Sequence, residues 1–347
     1  MIINYSSSPA MPPARTSSEA AAQLISGITA GPVVYAALRT FLLLGLGDHM
    51  ERPTHVLDLA YAVEADADAL YRVLRLLAAH GVVIEHGHEV FTLTEAGHLL
   101  DTDRDDSMGP LALMRGEQPW WDCLTGLPDI VRTGISPHCI YDYLAVERGK
   151  RELFDHVMGT SVAPVAAAVA ARPELEQFRT LVDLGGGTGQ VLKQILLAHP
   201  HLTGILMELP PTDQAARHTF EAAGLSEQRC RTVAGDILRD TIPAGDVLLM
   251  SRVVHTFDEA DAIGLLTAVR KQMQAGAQLW IVELAVRAQA VPNPALVNDI
   301  VMLMVSGGRE RSIPDYQELA AAAGLYFQRY FPLEGTGGYH LMVFTCD

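Results

Sequence analysis

Positive charge is scarce in this sequence. Its 347 residues include 25 Lys and Arg against 41 Asp and Glu, which gives a formal net charge of −16 at pH 7. The electrostatic attraction that draws proteins onto nucleic acid or anionic lipid therefore has the wrong sign here. We expect neither a nucleic-acid partner nor a membrane partner.

Closely spaced cysteines and targeting signals are also absent. Cys123, Cys139, Cys230 and Cys346 are scattered without a CxxC pair, which argues against a zinc site and against a disulfide framework. The sequence begins without a basic stretch followed by an apolar core, and its most apolar run, VVYAALRTFLLLGLG, is short and interrupted by Arg39. These absences predict a soluble, cytoplasmic protein.

The N-terminal part of the chain has the pattern of a winged helix. A Ser- and Pro-rich start over residues 1–18 is predicted to be disordered or an arm, and residues 19–100 predict a helix, a turn, a second helix and a short β-wing. Winged helices often bind DNA, but residues 51–100 contain eight acidic side chains and three arginines. We therefore predict a dimerisation domain, followed over 101–175 by connecting helices that contribute to a substrate pocket.

Over residues 176–347 strands alternate with helices, which predicts an α/β fold with a parallel sheet and right-handed crossovers. The last segments, YFQRYFPL and YHLMVFTCD, predict an antiparallel hairpin and bring the sheet to seven strands. The five preceding strands are expected at 180–185, 202–208, 230–235, 246–251 and 278–284.

A glycine-rich turn follows the first of these strands. In LVDLGGGTGQVL the strand ends at Asp183, and Gly185 and Gly187 precede a helix, so the backbone can approach a ligand closely. The nicotinamide fingerprint GxGxxG would need a further glycine where Gln190 or Leu192 stands. The turn predicts a cofactor site and disfavours a dinucleotide.

Two more acidic residues end the following strands. Glu208 comes about 20 residues after the glycines, where it can accept hydrogen bonds from ribose hydroxyls. Asp236 ends the third strand, where an acid can meet an adenine amino group. Because the turn contains no lysine, these acids favour a cofactor without phosphates. The alternative is that they only cap helices.

Together these motifs resemble the class I S-adenosylmethionine-dependent O-methyltransferases that act on plant phenolics and bacterial antibiotic intermediates. The resemblance implies S-adenosylmethionine as cofactor, a small-molecule substrate of secondary metabolism, a Rossmann-like seven-stranded methyltransferase core and an N-terminal all-α winged-helix domain that forms a homodimer. It covers nearly the whole chain through GLGDHM, LYRVLRLLAAHGVV, FTLTEAGHLL, LVDLGGGTGQ, MELPP, AGDIL, SRVVHTFDEADA, IVELAV, NDIVMLMVSGGRERS and LAAAAGL.

An acid–base group is expected beside the cofactor. His255 follows the fourth strand, Glu283 lies near the end of the fifth, and Glu310 lies in the loop GGRERS. In the family that the chain resembles, the matching His is the general base and the matching acids orient it. A phenol with a pKa of about 10 becomes a good nucleophile when a positioned imidazole takes its proton. The alternative for a single His is a structural role.

The resemblance also implies further site residues. The cofactor set is Asp183, Gly185, Gly187, Glu208, Asp236, Ile237, Ser251, Arg252, Met158, Ser161 and Phe257. The substrate set is Trp120, Trp121, Met302 and Asp299, with Met114 and Met304 as further candidates. For the tryptophans and methionines, and for Ser161, ordinary packing is the alternative.

Some positions depart from the family pattern. Thr256 and Phe257 stand where Asp and Trp are usual, Arg252 stands where Lys is common, and Glu208 replaces a more usual Asp. These changes bear on the adenine contacts, where Phe257 can still stack. They leave open a second function, in which a relative of this fold binds the cofactor but hydroxylates, decarboxylates or rearranges its substrate.

The methyl acceptor, a regulatory function and a metal site are the remaining points. The choice between oxygen and nitrogen as methyl acceptor is open. A winged-helix regulator that senses a metabolite is disfavoured by the acidic start of DADALYRVLRLL. The pair His86 and His88 has no evident third ligand, so no metal site is expected.

Overall fold

The computed structural model describes residues 18–104, 106–137, 140, 143–144, 147–287, 289 and 291–346. The predictions for residues 1–17 and for Cys139 lie outside these ranges. Within the described ranges the chain divides into two units, one before residue 123 and the other from residue 123 onwards.

The N-terminal unit is mainly helical and carries a small β-wing. Asp66 begins the second helix of a helix–turn–helix pair by accepting a hydrogen bond from the N–H of Ala69. Three short strands pair antiparallel in the order β1-β3-β2, so the predicted order of helix, turn, helix and wing is present. The elements are α1 (Ser18–Leu43), β1 (Thr54–His55), α2 (Val56–Ala62), α3 (Ala67–Ala79), β2 (Val83–His86), β3 (Val90–Leu93), α4 (Glu95–His98) and α5 (Gly109–Arg115), and α6 (Gln118–Thr133) begins in this unit.

Helix α1 is apolar but mostly uncovered. Only Ala37 and Phe41 of its residues are buried, whereas Ile25 and Ile28 are 59% and 65% exposed. Its most apolar 18-residue window has a mean hydropathy of 1.4, so α1 is long and apolar enough to cross a membrane by length and composition. A bent pair, Gly149–Ser161 with Ala163–Ala170, passes the same test only as one span. Core helices of soluble proteins and signal sequences near an N-terminus pass the same test.

The second unit contains the predicted seven-stranded sheet, in the order β6-β5-β4-β7-β8-β10-β9. The first five strands of this sheet, in chain order, run parallel, and β10 pairs antiparallel with both β8 and β9. Seven strands, and an antiparallel final pair, are thereby confirmed. The strands are β4 (Thr180–Leu184), β5 (Thr203–Glu208), β6 (Cys230–Ala234), β7 (Val247–Ser251), β8 (Gln278–Leu284), β9 (Tyr326–Pro332) and β10 (Tyr339–Thr345).

Helices cover both faces of this sheet, so its central strands are buried almost throughout. All residues of β8 after Gln278 are buried, as expected for a strand covered on both faces. Two apolar clusters, one around Trp280 and one around Ile281, lie on opposite faces. The helices are α7 (Arg148–Ser161), α8 (Ala163–Ala170), α9 (Gln190–Ala198), α10 (Thr212–Ala222), α11 (Glu259–Gln272), α12 (Pro294–Val305) and α13 (Ile313–Ala322).

Candidate active site

The glycine turn lies at the carboxyl edge of the sheet, between β4 and α9. Gly185 has a φ of 70°, and a Cβ there would lie 2.9 Å from Cγ2 of Val253, so only glycine fits. Gly187 has a φ of 57°, and a Cβ there would meet no heavy atom within 4 Å. The turn therefore has open space beside it, where a ligand can contact backbone N–H groups.

Glu208, at the end of β5, faces the glycine turn. Its carboxylate oxygens accept hydrogen bonds from the N–H of Gly187 at 2.8 Å and from the N–H of Leu209 at 2.8 Å. Burial raises the pKa of Glu208, while these two N–H groups lower it. Asp236 follows β6 and accepts from the N–H of Leu238 at 2.9 Å. Both acids therefore lie beyond the ends of neighbouring strands, as predicted.

Asp183 is a fully buried acid without a hydrogen-bond partner for either carboxylate oxygen among the described residues. Burial, followed by the charge of Glu208, raises the pKa of Asp183 to about 7. A Cβ on Gly186 would lie 2.3 Å from its Oδ2, so the carboxyl group lies directly under the turn. Ser251, at the end of β7, has a buried hydroxyl oxygen that also lacks a partner there.

His255 and two glutamates form a buried cluster. Nδ1 of His255 lies 2.6 Å from Oε1 of Glu310 and 3.5 Å from Oε2 of Glu283. A carboxylate oxygen only accepts, so Nδ1 carries the hydrogen and Nε2 of the neutral ring has the free lone pair. Burial alone would lower the pKa of His255, but the charges of Glu283 and Glu310 raise it above its usual value. Burial also raises the pKa of Glu283, against the opposing effect of His255.

The two glutamates contact different parts of the histidine turn. Oε1 of Glu283 accepts from the N–H of Val253 at 2.9 Å and from the N–H of His255 at 3.3 Å. Glu283 therefore fixes the backbone that carries the imidazole, whereas Glu310 contacts the ring. The ligand atoms of the cluster lie within 4.8 Å of one another and could also hold a metal ion.

The loop that carries Glu310 packs tightly on the histidine turn. The N–H of Arg309 donates to the carbonyl oxygen of His255 at 2.8 Å, and a Cβ on Gly308 would lie 2.1 Å from that oxygen. Arg311 is 1% exposed and donates to the carbonyl oxygens of Val254 and Phe257 at 3.4 and 3.1 Å. The backbone of the histidine turn is therefore held by hydrogen bonds from Arg309 and Arg311.

Sequence reasoning missed Asn298 and Arg311. Asn298, on α12, donates from Nδ2 to Oε1 of Glu310 at 2.5 Å, and Asp299 accepts from the N–H of Glu310 at 2.9 Å. Asp299, predicted to bind substrate, thus holds the loop that carries Glu310. The sequence NDIVMLMVSGGRERS did contain a signal for Asn298. Asn298 lies four residues before Met302, a predicted substrate residue, and therefore on the same face of the helix.

Met158 and Ser161, on α7, both contact Arg252. Nη1 of Arg252 donates to Oγ of Ser161 at 3.1 Å, and Nη2 lies 2.7 Å from Sδ of Met158. Arg252 has a φ of 60°, an unusual value for a residue with a side chain, which fits a position under constraint. Ile237 lies 3.7 Å from the Cβ position of Gly185. Met158 and Ser161 are thus joined to Arg252, and Ile237 packs beside the glycine turn.

The other predicted substrate residues are found in two places. Met302 is half-buried and Met304 is buried, both on α12. Trp120, Trp121 and Met114 belong to the N-terminal unit, where the ring of Trp121 lies 6.0 Å from that of Tyr35. Their role in binding substrate stays a prediction.

The comparisons with known proteins agree with this geometry. The family model of the O-methyltransferase domain matches residues 128–326, and the chain belongs to this family. It is an S-adenosylmethionine-dependent O-methyltransferase, and solved structures of related methyltransferases contain that cofactor or its demethylated product. Phenazine O-methyltransferase PhzM of Lysobacter antibioticus is 32% identical over 320 residues, which is 89% of this chain and 91% of the relative.

A solved structure and a second relative extend the comparison. The mitomycin 7-O-methyltransferase MmcR superposes with a TM-score of 0.87 at 28% identity, covering 94% of this chain and 98% of that chain. Aclacinomycin 10-hydroxylase RdmB of Streptomyces purpurascens is 29% identical over 305 residues, which is 83% of this chain and 80% of the relative. Relatives of similar identity are thus named for methyl transfer and for hydroxylation.

Proposed function

We propose that this protein methylates a hydroxyl group of an aromatic or polyketide-like small molecule in secondary metabolism, with His255 as general base. The contact of 2.6 Å between His255 and Glu310 carries the proposal, because it leaves Nε2 free to take a proton. The names of relatives such as the phenazine and mitomycin O-methyltransferases support the substrate class.

The base works through its two carboxylate neighbours. As Nε2 takes the proton, the substrate O–H bond breaks. Bound S-adenosylmethionine would supply the methyl group to that oxygen, and its sulfur–methyl bond would break to leave a neutral thioether. Glu310 stabilises the imidazolium through Nδ1, and Glu283 keeps the ring in position by holding the N–H groups of Val253 and His255. A base whose pKa is raised by these charges takes the proton more readily.

The acids around the glycine turn fit S-adenosylmethionine. When bound, this cofactor supplies a methyl group on a sulfonium cation. The carboxylate of Glu208 gives the turn the negative potential that a cation favours, and the partnerless carboxyl group of Asp183, whose pKa is about 7, adds to that potential once it ionises. Glu208 would accept hydrogen bonds from the ribose and Asp236 from the adenine, and Met158 and Ser161, which both contact Arg252, would hold the methionine end.

We also propose that the protein is a cytoplasmic homodimer formed through the N-terminal unit. Support comes from α1, which exposes several large aliphatic side chains that a partner helix could cover. The exposed side chains on successive turns are Leu24, Ile25, Ile28 and Val33. The acidic net charge argues against an anionic lipid surface as the alternative cover.

Two observations favour a second function, in which the protein binds the cofactor but does not transfer its methyl group. The stretch HTFDE departs from the family at Thr256 and Phe257, and one relative is named as a hydroxylase. The buried cluster of His255, Glu283 and Glu310 favours proton removal from a hydroxyl group and hence methyl transfer.

Product analysis separates the two functions. Purified protein is incubated with cofactor carrying an isotope-labelled methyl group and with hydroxylated phenazines and naphthoates, and products are identified by mass spectrometry. The proposal requires the label on an oxygen atom of the product. A product that gains an oxygen atom or loses carbon dioxide, without the label, would replace it with the second function.

A further inference from the structure

Glu176, His199 and His201 form a second cluster, on the edge of the sheet opposite the active site. Glu176 precedes β4, and the two histidines, in the sequence His-Pro-His, precede β5. We propose that this cluster, named here the HPH cluster, binds one divalent transition-metal ion, with Zn²⁺ as the best match. It is separate from methyl transfer, because the six residues of β5 place the two edges about 20 Å apart.

Backbone contacts fix which nitrogen of each histidine can bind a metal. Nε2 of His199 lies 2.7 Å from the carbonyl oxygen of Ala170, and Nε2 of His201 lies 3.3 Å from that of Leu175. A carbonyl oxygen only accepts hydrogen bonds, so both Nε2 atoms carry a hydrogen. Nδ1 is therefore the nitrogen of each ring that can bind a metal, and at His199 the metal would replace the hydrogen that joins Nδ1 to Glu176. Ligating histidines usually donate their other ring N–H to a carbonyl or carboxylate oxygen in this way.

Both Nδ1 atoms face the carboxylate of Glu176. Nδ1 of His199 lies 3.1 Å from Oε1, and Nδ1 of His201 lies 3.9 Å from Oε2. The three ligand atoms all lie within 4.8 Å of one another. Bonds of about 2.0–2.1 Å in a tetrahedral site place neighbouring ligand atoms about 3.4 Å apart. Small side-chain movements therefore bring the cluster to zinc geometry.

The loop that carries the histidines is held in place without the metal. Arg229 donates to the carbonyl oxygens of Leu202 at 3.0 Å and of Leu196 at 2.8 Å, and His199 is only 8% exposed. The guanidinium group of Arg229 thus binds the backbone on both sides of the two histidines. A fixed loop lowers the entropic cost of binding.

Two imidazoles and one carboxylate favour zinc over the harder cations. Mg²⁺ and Ca²⁺ prefer oxygen ligands, whereas imidazole is a good ligand for Zn²⁺. The side chain of Glu176 is 69% exposed, so water can supply the fourth ligand. The ion would also lie at the carboxyl end of α9, where the helix dipole favours positive charge.

Calorimetric titration of untagged, chelator-treated protein with zinc chloride tests the proposal. We expect wild type to bind one Zn²⁺ per chain and to gain thermal stability from it. His201→Ala and Glu176→Gln are each expected to weaken binding by at least about ten-fold. S-adenosylmethionine affinity is measured in parallel and is expected to match wild type, which shows that the variants fold.

Two controls separate the HPH cluster from other sites. His218→Ala removes an exposed histidine that pairs with a single glutamate, Glu221, at 3.6 Å, and His255→Ala removes the histidine of the active-site cluster. Both are expected to keep wild-type Zn²⁺ affinity. The proposal is wrong if wild type does not bind Zn²⁺, or if His201→Ala and Glu176→Gln bind it as tightly as wild type.

Discussion

Oε1 of Glu310 contacts both Nδ1 of His255, at 2.6 Å, and Nδ2 of Asn298, at 2.5 Å. One carboxylate oxygen therefore links the histidine turn to helix α12. Because Asn298 donates to this oxygen, it fixes the direction from which Glu310 meets the ring. In the proposed mechanism Asn298 acts on the base through Glu310, as a positioning residue.

Replacing the base should affect turnover and not cofactor binding. For His255→Ala we expect turnover to fall by about 10²-fold or more, because proton removal loses its acceptor. Calorimetric affinity for S-adenosylmethionine should stay close to wild type. Wild-type turnover in this variant would contradict the assignment of the base.

Removing the charge of Glu310 should shift the pH dependence of the reaction. The carboxylate raises the pKa of His255, and only the neutral imidazole can act as base. In Glu310→Gln that pKa falls, so the acidic limb of kcat/KM against pH should move to lower pH, with a lower plateau. The exposed hairpin residue Glu334 provides the control, since Glu334→Gln should leave the profile unchanged. An unshifted limb in Glu310→Gln would disprove the coupling.

Glu208→Gln should weaken cofactor binding. Both oxygens of Glu208 accept from backbone N–H groups, and an amide would turn its NH₂ group towards one of these donors. Loss of charge-assisted hydrogen bonds to the ribose should lower S-adenosylmethionine affinity by about 10- to 100-fold. Glu221→Gln, at an exposed position on α10, is the matched control. Unchanged affinity in Glu208→Gln would remove Glu208 from the cofactor site.

Asp183 should make the ligand-free protein less stable as pH rises. Its pKa is about 7 when folded, against an ordinary 3.8, so the folded protein holds this proton where the unfolded chain has lost it. Its contribution to stability is complete below the unfolded value and is lost as pH rises through about 7. Asp183→Asn stays neutral, so its Tm relative to wild type should increase from about pH 5 to pH 8.

The control for this comparison is Asp129→Asn, because the side chain of Asp129 is 81% exposed. Its Tm relative to wild type should not change over the same range. Parallel Tm curves for wild type and Asp183→Asn would show that Asp183 is ionised in the folded protein throughout.

Charges on α1 should separate the proposed dimer. We expect the double variant Ile25→Glu, Ile28→Glu to be a monomer in light scattering coupled to gel filtration, whereas Leu197→Glu, at a half-exposed position on α9, should stay dimeric. Removing residues 1–100 should likewise give monomer or aggregate. A dimeric double variant, or a truncated protein that is still a dimer, would contradict the assignment.

The strands could be predicted because their apolar runs are short and because the segments between them have helical periodicity. The run predicted at 180–185 is observed as Thr180–Leu184, and that at 246–251 as Val247–Ser251. The position of His255 was predictable too, because the end of a parallel strand fixes the edge of the sheet at which the next residues lie.

Contacts between distant segments were not predictable. The carboxylate of Asp299 could have faced a substrate, and only the folded loop shows that it accepts from the N–H of Glu310. The HPH cluster joins residues 23 positions apart, whereas metal ligands recognisable from sequence have short, regular spacings. In both cases the path of a loop between two elements decides where a side chain lies.

The strand order makes β10 necessary for closing the sheet beside β8. β10 inserts between β8 and β9, so residues 339–345 are the neighbours that β8 needs on its outer side. While the ribosome is still holding this segment, β8 presents an open, apolar edge to other chains. Messages that end early, or proteases that trim the C-terminus, should therefore yield products that aggregate.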